Sequence, residues 1–200
     1  MRTTQRDVLV TTAERLFAEQ GIDAVSLRTV MAAAGTNVAA VRYHFGTKDD
    51  LVAAVVRARS EEIRSARDAL LTALEEAADP SLRDLAEAFV LPLAGMAASG
   101  DVEWIRLVAG VTTGGHRAIA VIDEEFAEQT ARLGLLLRRI RPDLDPVGVR
   151  FRLTVAMTLT YRTLGDLGDL RTRVAAPGKP PVDDGRLVAE LVDAVTAILG

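Results

Sequence analysis

The stretch NVAAVRYHFGTKDDL, residues 37–51, decides how this chain is read. Small and branched apolar residues run into Arg42, Tyr43 and His44, then Gly46 and a polar run over 47–50. The whole chain has two histidines and two tyrosines, and one of each stands here beside an arginine. That mixture does not suit a core, and a catalytic centre calls for more carboxylate or thiol in the same cluster. If Val41 centres the buried face of a helix, Val38 and Phe45 fall within about 60° of it. Ala39 and Tyr43 then point the opposite way, with Ala40 and Arg42 on the flanks. Such a helix is slim on its outer face near the N-terminal end, where a backbone can approach another surface. Its hydrogen-bond donors follow behind.

Reading outward, Asn37 caps this short helix and Gly46 closes it. Upstream, Thr3 or Thr4 caps a longer helix whose apolar positions Leu9, Ala13, Leu16 and Phe17 recur at helical spacing up to Gly21. Ser26 caps a second short one bearing Leu27, Val30, Met31 and Ala34, ended by Gly35. Downstream, Thr47 and Asp50 form a capping box for a helix with no breaker before Asp79-Pro80. Its roughly 30 residues make a rod of about 45 Å. Two short helices joined by AAGTN and preceded by a longer one make a helix-turn-helix, in which the second short helix enters the DNA major groove. Arg28, Thr36, Tyr43 and Lys48 are then phosphate or base-edge donors around that helix. Lys48 also stands on a first helical turn, where backbone N–H groups favour phosphate.

The run LFAEQGIDAVSLRTVMAAAGTNVAAVRYHFGTKDDLVAAV resembles the DNA-binding domain of the tetracycline-repressor-like (TetR) transcriptional regulators. The resemblance spans about residues 8–56. It is carried by LFAEQG at the end of the first helix, SLR opening the second, AAG at the turn, YHFG, and TKxxL opening the long helix. It implies a homodimer, a major-groove recognition helix and a C-terminal domain that binds an inducer or corepressor. Carried over by position, Arg28, Asn37, Val38, Ala39 and Ala40 look base-facing, and Arg42, Tyr43, His44, Thr47 and Lys48 look phosphate-facing. Arg42 departs from the family, whose members often carry an aromatic there; it would meet phosphate or a guanine edge. Val38, Ala39 and Ala40 offer thymine methyls no more than van der Waals contact, so specificity leans on Arg28, Asn37, Arg42 and DNA shape. Arg2 and Arg6 are candidates for an arm reaching a minor groove.

The remainder reads as all-α, about nine helices in total, built from Ala, Val and Leu because aromatics are scarce. Further helices are expected over 81–99, with Pro92 as a kink, and over 101–113, 116–140, 146–170 and from Asp183 or Asp184 to the end. The domains are then 1–47 for DNA and 48–200 for ligand and dimerisation, joined by the helix 48–78. In the family the last two helices form a four-helix bundle with the partner's. Phe151, Val155, Leu159, Leu187, Leu191, Val195 and Ile198 are the expected interface, since two apolar stripes at the chain's end exceed what one core needs. Phe89, Met96, Trp104, Val108, Phe126, Met157 and Tyr161 are the candidate cavity lining, which predicts an apolar or amphipathic effector.

Charge fits a small anion-binding module on an acidic body. Residues 1–60 carry eight basic and six acidic side chains, within a chain of net charge −4. No cysteine is present, which removes disulfides, thiolate nucleophiles and zinc-cysteine sites together. The glycine cluster AGVTTGGHR lacks the Lys-Ser/Thr of a phosphate loop. Asp123, Glu124 and Glu125 are consecutive and do not face one another. No cofactor, metal, membrane span or enzymatic role is expected, and the chain reads as cytoplasmic. The expected function is a repressor that binds a palindromic double-stranded DNA operator as a homodimer and is released by a small molecule. The rival is a helical ligand-sensing or protein-interaction module that no longer binds DNA.

Overall fold

A computed structural model describes residues 4–36, 44–114, 116–175, 177, 178, 180 and 182–200. Those residues form nine helices and no strand. They are α1 (Gln5–Gln20), α2 (Leu27–Ala33), α3 (Lys48–Glu76), α4 (Leu82–Ala98), α5 (Val102–Gly114), α6 (Ile119–Ile140), α7 (Pro146–Gly165), α8 (Leu167–Arg173) and α9 (Asp184–Leu199). The all-α expectation holds. The expected helix over 38–45 lies almost wholly outside the described residues.

The helix starts follow the local chemistry. Thr4 and Asp7, Thr47 and Asp50, and Ser81 and Asp84 each form a reciprocal capping box, giving two otherwise orphaned N–H groups an oxygen. Asp145 caps α7, accepting from the Gly148 N–H at 2.6 Å, with Pro146 at the first helical position. At the end of α1 the chain reverses through Gly21 at φ +82°, a conformation that costs a residue without a Cβ little.

The sequence suggests one helix over 146–170, but the structure breaks it at Gly165–Asp166 into α7 and α8. The cause lies in α5, far away in sequence. Arg106 donates from Nε at 3.1 Å and Nη2 at 2.9 Å to the Gly165 carbonyl. The backbones come so close there that a Cβ on Gly165 would sit 3.3 Å from Arg106 Cα. A tertiary cap therefore ends α7. The helix expected from residue 116 begins instead at Ile119, because His116 Nδ1 accepts from the Ala118 N–H at 3.0 Å ahead of it. Pro92 is carried inside α4 without ending it.

Helix α3 is the spine. Its stripe Val52, Val55, Val56, Ile63 and Leu71 is buried completely or nearly so, and α1, α4, α5 and α6 pack around it. Helix α5 crosses α7 closely, and α9 lies in the angle between α4 and α7. Trp104 of α5 sits where these layers meet, fully buried, with its indole N–H shared between the Val55 and Val56 carbonyls of α3 at 3.1 Å each. Its ring lies 6.2 Å from that of Tyr161 on α7. Because α1 rests on both α3 and α5, the N-terminal helices and the remainder share one continuous core.

Replacing Trp104 by Ala would open a large cavity at this junction and remove the indole bonds that tie α5 to α3. Urea denaturation followed by circular dichroism should show a loss of about 3–5 kcal/mol.

Candidate functional site

The chain brings two functional regions onto α3, one at each end. At its N-terminal end, Thr47 caps the helix: its Oγ1 accepts from the Asp50 N–H at 3.2 Å and contacts the Asp50 carboxylate at 2.6 Å. The hydroxyl expected to meet phosphate is thus already engaged in its own cap. Lys48 reaches back across the loop, with Nζ donating to the Asp23 carbonyl at 3.3 Å. Arg28 projects, exposed, from the second position of α2, while Thr36 is half-buried with Oγ1 unpartnered among the described residues. His44 is half-buried, its ring 6.0 Å from that of Phe45. The other members of the expected DNA-binding set, Asn37, Val38, Ala39, Ala40, Arg42 and Tyr43, lie outside the described residues. Arg6, expected in an arm, is instead within α1, its guanidinium 5.5 Å above the Phe45 ring. Stacking on that face ties the start of α1 to the foot of α3.

Between the two regions, Glu14 of α1 is 7% exposed at the junction with α3 and α5. Burial pushes its carboxyl up from the usual carboxylate value; the nearby Arg59 opposes this, while Asp101 and Glu103 add to it. Arg59 in turn pairs with Asp101 at 2.5 Å.

The second region lies between α4, α6 and α7. An open groove of about 470 Å³ runs between α6 and α7, walled by Phe89, Ala127, Leu133, Gly134, Leu153 and Met157, with Asp123, Arg150 and Thr154 among its polar lining. Below it a void of about 40 Å³ is lined by Arg67, Phe89, Ile122, Phe126, Met157 and Tyr161. Four of the expected lining residues, Phe89, Phe126, Met157 and Tyr161, meet here. The other three, Met96, Trp104 and Val108, are plain core, each 2% exposed or less and lining neither space. They face helix–helix contacts elsewhere, as Trp104's bonds to α3 illustrate.

Sequence reasoning missed Arg67. It stands on α3 four residues after Ile63 and four before Leu71, both buried, so a charge in the middle of the apolar stripe was the signal. Its guanidinium packs 5.3 Å from the Phe89 ring and 5.8 Å from the Phe126 ring. Nη2 donates to the Phe89 carbonyl of α4 at 3.3 Å. Nη1 reaches Gln129 Oε1 of α6 at 3.5 Å. Burial drags the Arg67 pKa down, the Tyr161 hydroxyl offsetting part of this and Asp68 less. A guanidinium nonetheless stays protonated at neutral pH. The same burial pushes the Tyr161 phenol up.

Around this site α6 is laced to α3. Arg57 meets Glu124 at 3.3 Å and Glu125 at 3.1 Å; Arg64 meets Glu125 at 3.3 Å. Arg132 bridges Asp68 at 3.0 Å and Glu75 at 2.8 Å, and the Gln129 amide donates to Asp68 and to the Arg64 carbonyl at 2.7 Å each. Arg139 closes the run, donating to the Glu75, Ala77 and Ala78 carbonyls at the far end of α3.

A helical N-terminal module set on a long shared helix, with a cavity in the helical body behind it, is an arrangement that comparison with known proteins identifies. The family model for bacterial regulatory proteins of the tetR family matches residues 9–55, and the tetracyclin repressor-like C-terminal domain matches residues 87–197, more than half of the chain. The chain belongs to the tetR family. It therefore has the fold of a DNA-binding transcriptional regulator. Among solved structures it is similar to a putative tetR family transcription regulator from Shewanella sp. PV-4, with 15% identity over 98% of this chain and 96% of that one and a TM-score of 0.67. It is similar also to a tetR family regulatory protein from Rhodococcus RHA1, with 17% identity over 100% and 98% and a TM-score of 0.66. The ketosteroid transcriptional regulator KstR2 of Mycobacterium tuberculosis matches at 16% identity over 98% and 95%, with a TM-score of 0.59. At such identities these likenesses concern the fold alone. No curated protein sequence matches significantly. Among the described residues no helix is long and apolar enough to cross a membrane.

The junction makes a pH prediction. The folded pKa of Glu14 is raised above its unfolded value, so within that window the native state binds more protons and stability falls as pH rises. Glu14→Gln should therefore raise the melting temperature at neutral pH, and the gain should vanish as pH drops below the ordinary glutamate value. Calorimetry at a series of pH values reads it.

Proposed function

We propose that the protein is a homodimeric, ligand-responsive repressor that binds a palindromic operator and is released when a small molecule enters the body. The observation that carries this is the tetR-family DNA-binding domain over residues 9–55 grafted onto α3, whose far part walls the ligand void. Arg28 and Lys48 stand on either side of the segment expected to enter the major groove, and Asn37 to Ala40, Arg42, Tyr43 and His44 remain the proposed DNA-facing set, with Thr36 and Thr47 beside them.

For the dimer, exposure differs among the expected contacts. Leu187, Leu191 and Val195 are largely covered within the protomer, though Leu187 and Leu191 still line the groove beside Leu159 and Ala194. On α7, Phe151 is 67% and Val147 62% exposed, and Val155 and Leu159 are part-exposed. These positions, with Thr154 and Thr158, share one helical face. Helix α9 offers Ala194 and Ala197, with part-exposed Ile198, and Leu159 and Ala194 both line an apolar groove of about 390 Å³ between the two helices. Phenylalanine and valine this exposed, on one continuous stripe, support a partner covering them. We place that partner as a second copy packing α7 and α9 against α7 and α9.

Ligand action follows from mechanical linkage. A ligand wedged between α6 and α7 displaces α6, and the charge-assisted bonds drag α3 with it. Arg67 stands nineteen residues from Lys48, about 28 Å along the helix, so a small tilt at the cavity becomes a larger displacement at the DNA end. Release requires only that ligand bind the non-DNA-binding geometry better.

Fluorescence anisotropy on the DNA upstream of its own gene, across a salt series, tests the reading. Binding should be tighter than to random duplex and fall steeply with salt; equal weak binding to both would reject it in favour of a ligand-sensing module. Lys48→Ala and Tyr43→Ala should each weaken binding to all sequences alike and lower the salt slope by about 1, whereas Arg28→Ala should relax preference at one base pair. Phe151→Asp should weaken dimerisation by about 30-fold or more, read by sedimentation equilibrium, while leaving the melting curve of the protomer little changed.

A further inference from the structure

Arg67 is 4% exposed, yet no carboxylate among the described residues pairs with it. The nearest acidic side chain in sequence, Asp68, is already taken by Arg132 and Gln129. Its Nε is buried and has no acceptor among the described residues. A buried guanidinium with a neutral carbonyl, a weakly bonded amide and two aromatic faces for company is expensive to hold, and an arginine in an apolar stripe is easily replaced by leucine or methionine at a gain in stability. The void of about 40 Å³ lies against it, sharing walls at Phe89, Asp123, Thr130, Leu133 and Met157 with the groove of about 470 Å³.

We infer that Arg67 is an anion-binding subsite, and that the effector is an amphipathic monocarboxylate whose headgroup sits in the void against Arg67 while its apolar body lies in the groove between α6 and α7. This rests on, and narrows, the proposed ligand-responsive function. The two volumes set the division. A space needs roughly 10–15 Å³ to take one water-sized group, so the void takes about three heavy atoms, a carboxylate and not a phosphate ester. The groove is of the size that holds a small organic body, and Ala127, Leu133, Leu153 and Met157 present it with carbon. The Nε–H, which has no other acceptor among the described residues, would supply a charge-assisted bond, and the Tyr161 hydroxyl already lies beside the guanidinium. Asp123, lining both spaces, disfavours a second negative charge beside the headgroup. An anion at Arg67 would also draw the guanidinium off Gln129, the residue that bridges α6 to α3, so the headgroup acts on the coupling itself.

Isothermal titration of the full-length protein with decanoate, decanol and decylamine tests the inference. Decanoate should bind at least about tenfold tighter than decanol, and decylamine weakest. Arg67→Met should abolish the preference for decanoate over decanol, while Arg67→Lys, which keeps the cation, should retain part of the preference. Arg67→Met should also melt no lower than wild type, as expected for a charge kept for binding. Equal binding of decanoate and decanol to wild type, failure of all three to bind, or a carboxylate preference that survives Arg67→Met overturns the subsite. The operator titration on the same preparations separates the two ideas. Salt-steep DNA binding without discrimination among the probes rejects only the subsite. Arg67-dependent decanoate binding by a protein indifferent to operator rejects only the regulator.

Discussion

Everything in this molecule hangs on α3, one helix that belongs to both functional halves, and on the pairing that fixes its register against α6. The apolar stripe of α3 supplies the energy: a fully buried valine, leucine or isoleucine contributes about 1.5–3 kcal/mol, and five such positions line it. The ion pairs beside that stripe contribute far less each, since exposed pairs are worth about 0–1 kcal/mol. Their value is positional. Arg57, Arg64, Arg132 and Arg139 each reach across to a partner on the other helix, so α6 cannot slide along α3 without breaking several contacts at once. Hydrophobic contact is non-directional and tolerates slippage; this lacing does not.

That division of labour explains how a cavity coexists with a firm connection. Glycine at 134 and alanines at 127 and 131 keep the α6–α7 contact thin, leaving a groove, while the α3–α6 contact on the opposite side of α6 is dense and charge-assisted. Helix α6 is loosely held on its groove side and tightly held on its α3 side. Arg67 stands where the two sides meet, reaching from α3 to the Phe89 carbonyl on α4 and to Gln129 on α6.

At the other end, α1 keeps the foot of α3 from moving alone. Arg6 stacks on Phe45, Glu14 faces Arg59, and α1 packs against α5 as well as α3. The N-terminal module is thus carried by two helices of the body. The bifurcated bond of Trp104 to Val55 and Val56 ties α5 to α3 at the same level, and Arg106 ties α5 to the end of α7. Helix α5 thus joins α1 and α3 to the end of α7.

Local chemistry made much of this readable in advance. The capping boxes at Thr4, Thr47 and Ser81, the proline at the start of α7 and the glycines after α1 and α2 act within a few residues, so these helix boundaries came out within a residue or two. The motifs over residues 9–55 are local too, which is why the family was legible. Three features were not. The break at Gly165 is imposed by Arg106, fifty-nine positions away, through a backbone approach that periodicity cannot register. Leu187, Leu191 and Val195 have the apolar spacing of an interface and also of a core, and only the packing of α9 shows that they are largely covered within the protomer while Val147 and Phe151 are exposed. Arg67 was visible as an arginine in an apolar stripe, but sequence could not say whether a carboxylate answers it. Local sequence determined an all-α chain and the motifs of its family; packing decided where the charge is buried, because burial is a property of neighbours brought together from α3, α4, α6 and α7.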